Sequence, residues 1–184
     1  IVKQFLAKNG VAPTGVSTNG QSQGGNSAVT QDTVDARTKG TILEGRVTID
    51  AKLNGKTGNL GHTDHRGRVR LDPLAFESAG VLDSVLAHEG AHVKQIAEKR
   101  FHAFENTPEA LVNEVEAYRA AYNATVDRSP NDAALDRHLT GQLGELGDAI
   151  EGLRGTPYFK NVTTQPRSYG IDPKMTCPTS VCRF

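Results

Sequence analysis

The stretch VLAHEGAHVKQ, residues 85–95, constrains the fold of this chain more than any other part of the sequence. His88 and His92 are four residues apart, and Glu89 directly follows the first of them. Side chains four apart lie one turn apart on the same face of an α-helix. Apolar residues continue this spacing on both sides, so the stretch predicts a helix from about Gly80 to Lys99. Its apolar face consists of Val81, Val85, His88, His92 and Ile96.

Two histidines on an apolar helix face indicate a metal site. A buried imidazole nitrogen without a partner costs about 1–3 kcal/mol, and an ion held by both rings removes that cost. Glu89 lies beside the two rings, where its carboxylate can take a proton from water on the metal. Gly90 and Ala91 are small enough to let a substrate approach. The alternative is a core helix whose two histidines are satisfied by other groups.

A third ligand is expected from the next helix. Thr107 is a good N-cap, and Pro108 and Glu109 suit the first turn of a helix that continues to about Asp127. In NEVEAYRAAY, Glu114 falls on the apolar face and Glu116 points away from it. Glu114 is therefore the preferred third ligand, and Glu116 is the alternative. The apolar face of this helix consists of Leu111, Val115, Tyr118 and Tyr122.

The remaining patterns predict an α+β protein. Residues 1–40 are rich in Gly, Ser and Asn and predict a linker or an irregular N-terminal wrap. Residues 41–53 and 68–72 alternate like strands and predict a small antiparallel sheet of two to four strands. A third helix opens near residue 129, and the tail from Gly155 is expected to be irregular with one short strand at most. The stripe of the third helix is Leu135, Leu139, Leu143, Leu146, Ile150 and Leu153.

The sequence HEGAH followed by NEVEA resembles the glutamate-zincin metallopeptidases over residues 82–122. The resemblance implies a zincin-like domain over residues 41–184, in which a small antiparallel sheet packs on a helical pair that carries one Zn²⁺. It implies that His88, His92 and Glu114 bind the metal and that Glu89 is the general base for hydrolysis of peptide bonds. An edge strand such as GRVRLD, residues 67–72, would pair with an extended peptide substrate.

Other polar residues are candidates for supporting roles at this site. A group that steadies the oxyanion is expected from a Tyr or His, and His138, Tyr158 and Tyr169 are the candidates. Tyr118, one turn after Glu114, is a candidate for orienting a ligand. The GHTDH stretch, with His62, Asp64 and His65, is interpreted as a solvated loop, and His102 is expected to be exposed.

Composition limits the partners. The chain has 21 basic and 21 acidic residues and no dense Lys/Arg run, so we expect neither nucleic acid nor an anionic membrane as partner. The apolar stretches are too short to span a bilayer. The chain begins IVKQFLAKNG, without Met or a signal-peptide pattern, and is expected to be released from or part of a larger polypeptide. Cys177 and Cys182 form either a small disulfide or two free thiols.

A small neutral zincin domain after a Gly/Ser/Asn-rich stretch is similar to the C-terminal metallopeptidase toxin or effector domains of type VI secretion spike proteins and Rhs-type polymorphic toxins. That resemblance implies secretion, or delivery to a periplasm or target cell, with a carrier or spike protein and an immunity protein as partners. The expected substrate is a peptide or protein, including peptidoglycan peptides. The alternative is a non-catalytic zincin-like or helical adaptor module of a secretion apparatus.

Overall fold

A computed structural model of the chain describes residues 29–54, 59–102 and 107–164. These residues form an α+β structure of helices and a small mixed sheet, which confirms the predicted class. Residues 1–28, Tyr169, Cys177 and Cys182 lie outside the described residues. The helices are α1 (Gln31–Thr38), α2 (Ala79–Ala97), α3 (Pro108–Thr125), α4 (Ala133–Gly152) and α5 (Pro157–Thr164), with short 3-10 helices at Pro73–Phe76 and Val126–Asn131.

Each of the three long helices begins directly after an N-cap residue whose side chain accepts a backbone hydrogen bond. Ser78 caps α2, and its hydroxyl oxygen accepts a hydrogen bond from the backbone N–H of Val81 at 3.1 Å. Thr107 caps α3 in the same way, with Pro108 in the first turn, as the sequence predicts. Asp132 caps α4. Each cap satisfies a backbone donor that the helix itself leaves free, so the helix bounds agree with the predicted ones to within a few residues.

The sheet has three strands, β1 (Val47–Ile49), β2 (Gly61–Thr63) and β3 (Val69–Leu71), in the order β1-β3-β2. Strand β2 pairs antiparallel with β3, whereas β1 pairs parallel with β3. The prediction of an antiparallel sheet is therefore wrong for the β1–β3 pair. An alternating pattern indicates which face of a strand is buried, but it does not indicate the direction in which the neighbouring strand runs.

Two predictions about the strands are corrected. The stretch GHTDH is not all loop, because Gly61–Thr63 forms β2 and only the following residues make the turn to β3. The strand within GRVRLD is β3, which lies in the centre of the sheet and is paired on both sides. Strand β2 is the edge strand beside α2. A strand of three residues that starts with glycine gives almost no periodic signal, which explains the error.

Two helices occur where the sequence predicts irregular structure. Helix α1 forms within the polar N-terminal segment, because Thr30 caps it and Val34 is fully buried. The Gln31 side-chain amide donates to the carbonyl oxygen of Val47 at 2.8 Å, which ties α1 to β1. Helix α5 begins at Pro157. Proline suits the first turn of a helix, so it starts α5 and does not mark a loop.

The core has two parts. The larger part lies between the sheet, α1, α2 and the start of α4. The smaller part joins α3, the C-terminal half of α4, and α5, and Val115 and Leu153 are fully buried in it. Of the predicted α4 stripe, Leu135, Leu139, Leu146 and Leu153 are buried. Over the described ranges, no helix has both the length and the apolar character that a membrane crossing needs.

Candidate metal centre

His88 and His92 lie on the face of α2 that packs toward α3, as their spacing predicts. Their Nε2 atoms are 3.1 Å apart, and the two rings meet edge to face with centroids 4.9 Å apart. Only 9% of His88 and 5% of His92 is exposed. The two imidazole nitrogens are therefore directed at one point near the protein surface.

Glu114 of α3 completes the group. Its Oε2 lies 3.5 Å from His88 Nε2, and its Oε1 lies 3.4 Å from His92 Nε2. One ligand atom from each of these three residues lies within 4.8 Å of the others, so the group could hold a metal ion. Three such donors from two packed helices form a rigid site. The predicted grouping of His88, His92 and Glu114 is present in the structure.

His88 and Glu114 shift each other's pKa values toward the charged forms. Burial alone would lower the pKa of His88, but the hydrogen bond to Glu114 and the negative charges of Glu89 and Glu114 outweigh it and raise that pKa. Burial opposes ionisation of Glu114 as well. Its hydrogen bond to His88 and the charges of both histidines nevertheless lower the pKa of Glu114. The carboxylate is thus held in the ionised form that binds a cation.

Glu116, the alternative ligand, does not join the group. Its Oε2 accepts hydrogen bonds from the Gln95 side-chain amide at 3.0 Å and from Arg100 Nη1 at 2.5 Å. Glu116 points away from the apolar face of α3, as predicted, and is partly buried against the end of α2. It contacts the site through Gln95, whose Oε1 lies 2.9 Å from His92 Nδ1.

Glu89 is held between α2 and the edge strand. The Thr63 hydroxyl donates a hydrogen bond of 2.5 Å to Glu89 Oε2, and only 4% of Glu89 is exposed. Gly61 lies on the other side of the same carboxylate: a Cβ atom at this position would lie 2.6 Å from Glu89 Oε1. Strand β2 can approach the carboxylate this closely only because residue 61 is glycine.

A cleft of about 740 Å³ opens over the three possible ligands and Glu89. Strand β2 and the residues just before it form one wall, and α3 and α4 form the other. The wall on α4 includes the exposed carboxylates of Glu145 and Asp148. His62 and His102 also line the cleft, but neither belongs to the metal-binding group. His102 is exposed, as predicted.

Of the candidates for a supporting role, Tyr118 and His138 line the cleft. The ring of Tyr118 lies 4.8 Å from that of His88, and burial together with the carboxylates of Glu145 and Glu114 raises the pKa of Tyr118. His138 lines the cleft, and its Nε2 is buried without a hydrogen-bond partner among the described residues. Burial lowers the pKa of His138, which favours the neutral form of its ring.

Tyr158 is not at the site. Its hydroxyl donates to Glu109 Oε1 at 2.8 Å, at the start of α3, and its ring packs with the smaller core. The sequence does not predict this position of Tyr158, because Tyr158 lies on α5, a helix that the sequence pattern does not indicate.

Gln95, Thr63 and Gly61 were not expected from the sequence. Gln95 follows His92 by three residues and so lies on the same helix face, and this spacing is a sequence signal for a contact between the two side chains. Thr63 and Gly61 belong to β2, which the sequence does not distinguish from a loop.

In comparisons with protein-family models, with curated proteins and with solved structures, nothing matches this chain.

Proposed function

We propose that this chain is a zinc-dependent metallopeptidase that hydrolyses peptide bonds. The observation that carries the proposal is the arrangement of His88, His92 and Glu114 in one group at the base of a cleft, with the Glu89 carboxylate beside it. The resemblance of HEGAH and NEVEA to the glutamate-zincins supports the same function. A separate resemblance, that of a small neutral zincin domain after a Gly/Ser/Asn-rich stretch to bacterial metallopeptidase toxin and effector domains, is the sole basis for proposing a secreted toxin or effector role.

The donor set fits zinc. Two imidazole nitrogens and one carboxylate oxygen are ligands of catalytic zinc sites, which keep a further position for water. Within the described part of the chain the group has three members, and His62 and His65 are not among them. Zinc bound there would supply Lewis acidity, which polarises the scissile carbonyl group and makes a water molecule more acidic.

Glu89 is the proposed general base. Its carboxylate would take a proton from the attacking water and later give a proton to the leaving amine. The hydrogen bond from Thr63 holds one carboxylate oxygen, and Gly61 leaves the other without a side chain against it. The carboxylate therefore keeps one orientation, which is what efficient proton transfer requires.

Strand β2 is the proposed binding edge for the substrate backbone. Leu60 accepts a hydrogen bond from Asp72, and Asp64 donates one to Arg68, both toward β3. Antiparallel pairing alternates along a strand, so the backbone N–H and C=O groups of Gly61 and Thr63 point away from β3. An extended peptide can add to such an edge through main-chain hydrogen bonds.

Two cleft residues are proposed to steady the oxyanion that forms during hydrolysis. The Tyr118 hydroxyl remains protonated at neutral pH, and Nε2 of His138 has no hydrogen-bond partner among the described residues. Each can donate a hydrogen bond to a developing negative charge.

The test is peptide cleavage by the zinc-loaded chain, compared with its Glu89→Gln variant. A mixture of peptides of varied sequence, supplemented with peptidoglycan cross-link peptides, is incubated with each protein, and new termini are identified by mass spectrometry. The native chain should cleave, and Glu89→Gln should lose about 10²–10⁴-fold in rate while still binding zinc. Gly144→Ala is the control, because nothing lies within 4 Å of a Cβ at that position.

Equal cleavage by native protein and Glu89→Gln would overturn the proposed role of Glu89. Absence of any cleavage by native protein with bound zinc would overturn the peptidase proposal and favour a non-catalytic binding module.

A further inference from the structure

Gln95 connects the metal group to the rest of the protein. It lies on α2, three residues after His92, and none of its surface is exposed. Its side-chain nitrogen donates to the backbone carbonyl of Asn113 and to Glu116 Oε2, both at 3.0 Å. Its side-chain oxygen lies 2.9 Å from His92 Nδ1. A single buried amide therefore joins α3 to one of the two histidines.

These contacts determine which way the amide points. A carbonyl oxygen and a carboxylate can only accept hydrogen bonds, so both partners on α3 need the NH₂ group of Gln95. The amide oxygen then faces His92. Because that oxygen can only accept, Nδ1 of His92 carries the hydrogen, and Nε2 keeps its lone pair. Nε2 is the nitrogen directed at Glu114.

Glu116, which accepts a hydrogen bond from the Gln95 amide, is itself bound by Arg100. Arg100 Nη1 lies 2.5 Å from Glu116 Oε2, and Arg100 Nε lies 2.6 Å from Glu98 Oε2. Helix α2 ends at Ala97, and Lys99, two residues later, is in the left-handed region at φ 59°. The Arg100 N–H donates to the carbonyl oxygen of Gln95 at 3.0 Å. This turn, typical of helix C-termini, directs the Arg100 side chain back to Glu116.

His88 provides a contrast within the same site. Its Nδ1 is buried and has no hydrogen-bond partner among the described residues. The two histidines therefore differ: Nδ1 of His92 faces the Gln95 side-chain oxygen, whereas Nδ1 of His88 faces no described hydrogen-bonding group.

We infer that Gln95 is a positioning residue that holds His92 in its Nδ1–H tautomer and presents Nε2 to the metal, with Glu116 and Arg100 anchoring the Gln95 amide. This inference deepens the proposed function and rests on its metal site, but not on peptide hydrolysis. Groups that hydrogen-bond to metal-binding histidines typically change metal affinity 10–100-fold when removed.

Nuclear magnetic resonance of ¹⁵N-labelled histidine rings in the metal-free native protein tests the tautomer directly, with His92 assigned by its loss in His92→Ala. At a pH where the ring is neutral, we expect hydrogen on Nδ1 and a bare Nε2. Hydrogen on Nε2 would overturn the inference. This readout needs no variant of Gln95 and no zinc.

Zinc affinity, measured by competition with a chromogenic chelator, tests the consequence. Gln95→Leu should bind zinc about 10–100-fold more weakly than the native chain. Gln142→Leu is the matched control: Gln142 is also buried, at 8% exposed, but its side-chain oxygen accepts from Ser84 and not from a histidine. Its zinc affinity should stay at the native value.

If Gln95→Leu does not fold, as judged by circular dichroism, Glu116→Gln takes its place. Glu116→Gln removes the negative charge that pairs with Arg100, and this variant should also bind zinc more weakly. Native affinity in either folded variant, with an unchanged His92 tautomer, would overturn the inference. A native chain that binds no zinc would instead overturn the proposed function, and the tautomer measurement would still stand.

Discussion

Gly61 determines how closely the edge strand can approach Glu89. A Cβ atom at this position would lie 2.6 Å from Glu89 Oε1 and 2.8 Å from a methyl carbon of Val85. Neither neighbour can retreat easily, because Val85 is core and Thr63 holds the other oxygen of Glu89. The glycine is needed for space and not for an unusual backbone conformation.

We expect Gly61→Ala to disturb both stability and chemistry. Forcing a methyl group into this contact should lower the free energy of unfolding by about 1–3 kcal/mol and displace the Glu89 carboxylate, so peptide cleavage should fall with it. Urea unfolding and the cleavage assay measure the two effects. Gly144→Ala should instead gain about 0.5–1 kcal/mol, because alanine favours an exposed helix position. A Gly61→Ala variant as stable and active as the native chain would show that β2 is not pressed against Glu89.

At the scale of elements, Asp132 joins the starts of two helices. It caps α4, and its Oδ2 accepts a hydrogen bond of 2.7 Å from the Ser78 hydroxyl, which caps α2. Burial opposes ionisation of Asp132, but hydrogen bonds from Leu135, Ser78 and Gly80 outweigh it and lower the pKa. One carboxylate thus lies at two helix N-termini, where negative charge is favourable.

Replacing Asp132 should destabilise the fold in a pH-dependent way. Asp132→Ala should lose about 1–2 kcal/mol near neutral pH. Because the folded pKa is lowered, this contribution is present above the unfolded value of about 3.9 and is lost as the pH falls through the folded value. Asp132→Asn keeps the cap and removes the charge, so its loss should be smaller. Urea unfolding at pH 7 and at low pH measures this, and a destabilisation that does not shrink in acid would contradict it.

A second prediction at this scale concerns Lys99, just after the end of α2. Lys99 has φ 59°, a conformation that strains a residue with a side chain and suits glycine. Lys99→Gly should therefore raise the free energy of unfolding by about 0.5–1 kcal/mol, the relieved strain less the extra freedom of the unfolded chain. The same change at Lys94, inside the helix, should lower it by about 1 kcal/mol. Equal signs for the two variants in urea unfolding would refute this explanation.

How far the sequence predicts these elements depends on the kind of signal each one carries. Helices α2, α3 and α4 combine a long apolar period with a capping residue, and these signals predict both their positions and the facing of Glu114 toward the histidines. Strand β2 is three residues long, too short for a period to show. The parallel pairing of β1 depends on how the chain passes around β3, which no local pattern encodes. The hydrogen bonds from His92 through Gln95 to Glu116 require the packing of two helices, so no local pattern in the sequence predicts them.

At the scale of the whole molecule, α1 packs into the same core as α2, the helix that carries His88 and His92. Val34 is fully buried in the larger core, and Arg37 of α1 forms an ion pair with Asp83 of α2. Arg128 binds the other oxygen of Asp83 at 2.7 Å. The folded unit therefore begins before residue 41, where the polar composition suggests a boundary.

Val34→Ala tests this. Removing two buried carbons should lower the stability of the whole unit by about 1.5–3 kcal/mol, with one unfolding transition. Val29→Ala is the matched control, because Val29 is 43% exposed, and it should change little. A Val34→Ala variant with native stability would show that α1 is not part of the core.

The most direct test of the metal centre is zinc content by elemental analysis of purified native protein, His88→Ala and Gly144→Ala, each reloaded with zinc and freed of excess. The group of His88, His92 and Glu114 predicts about one zinc per chain in the native protein and in Gly144→Ala, with that zinc lost in His88→Ala. Near-zero zinc in the native chain after reloading, or the same content in His88→Ala, would contradict the metal centre.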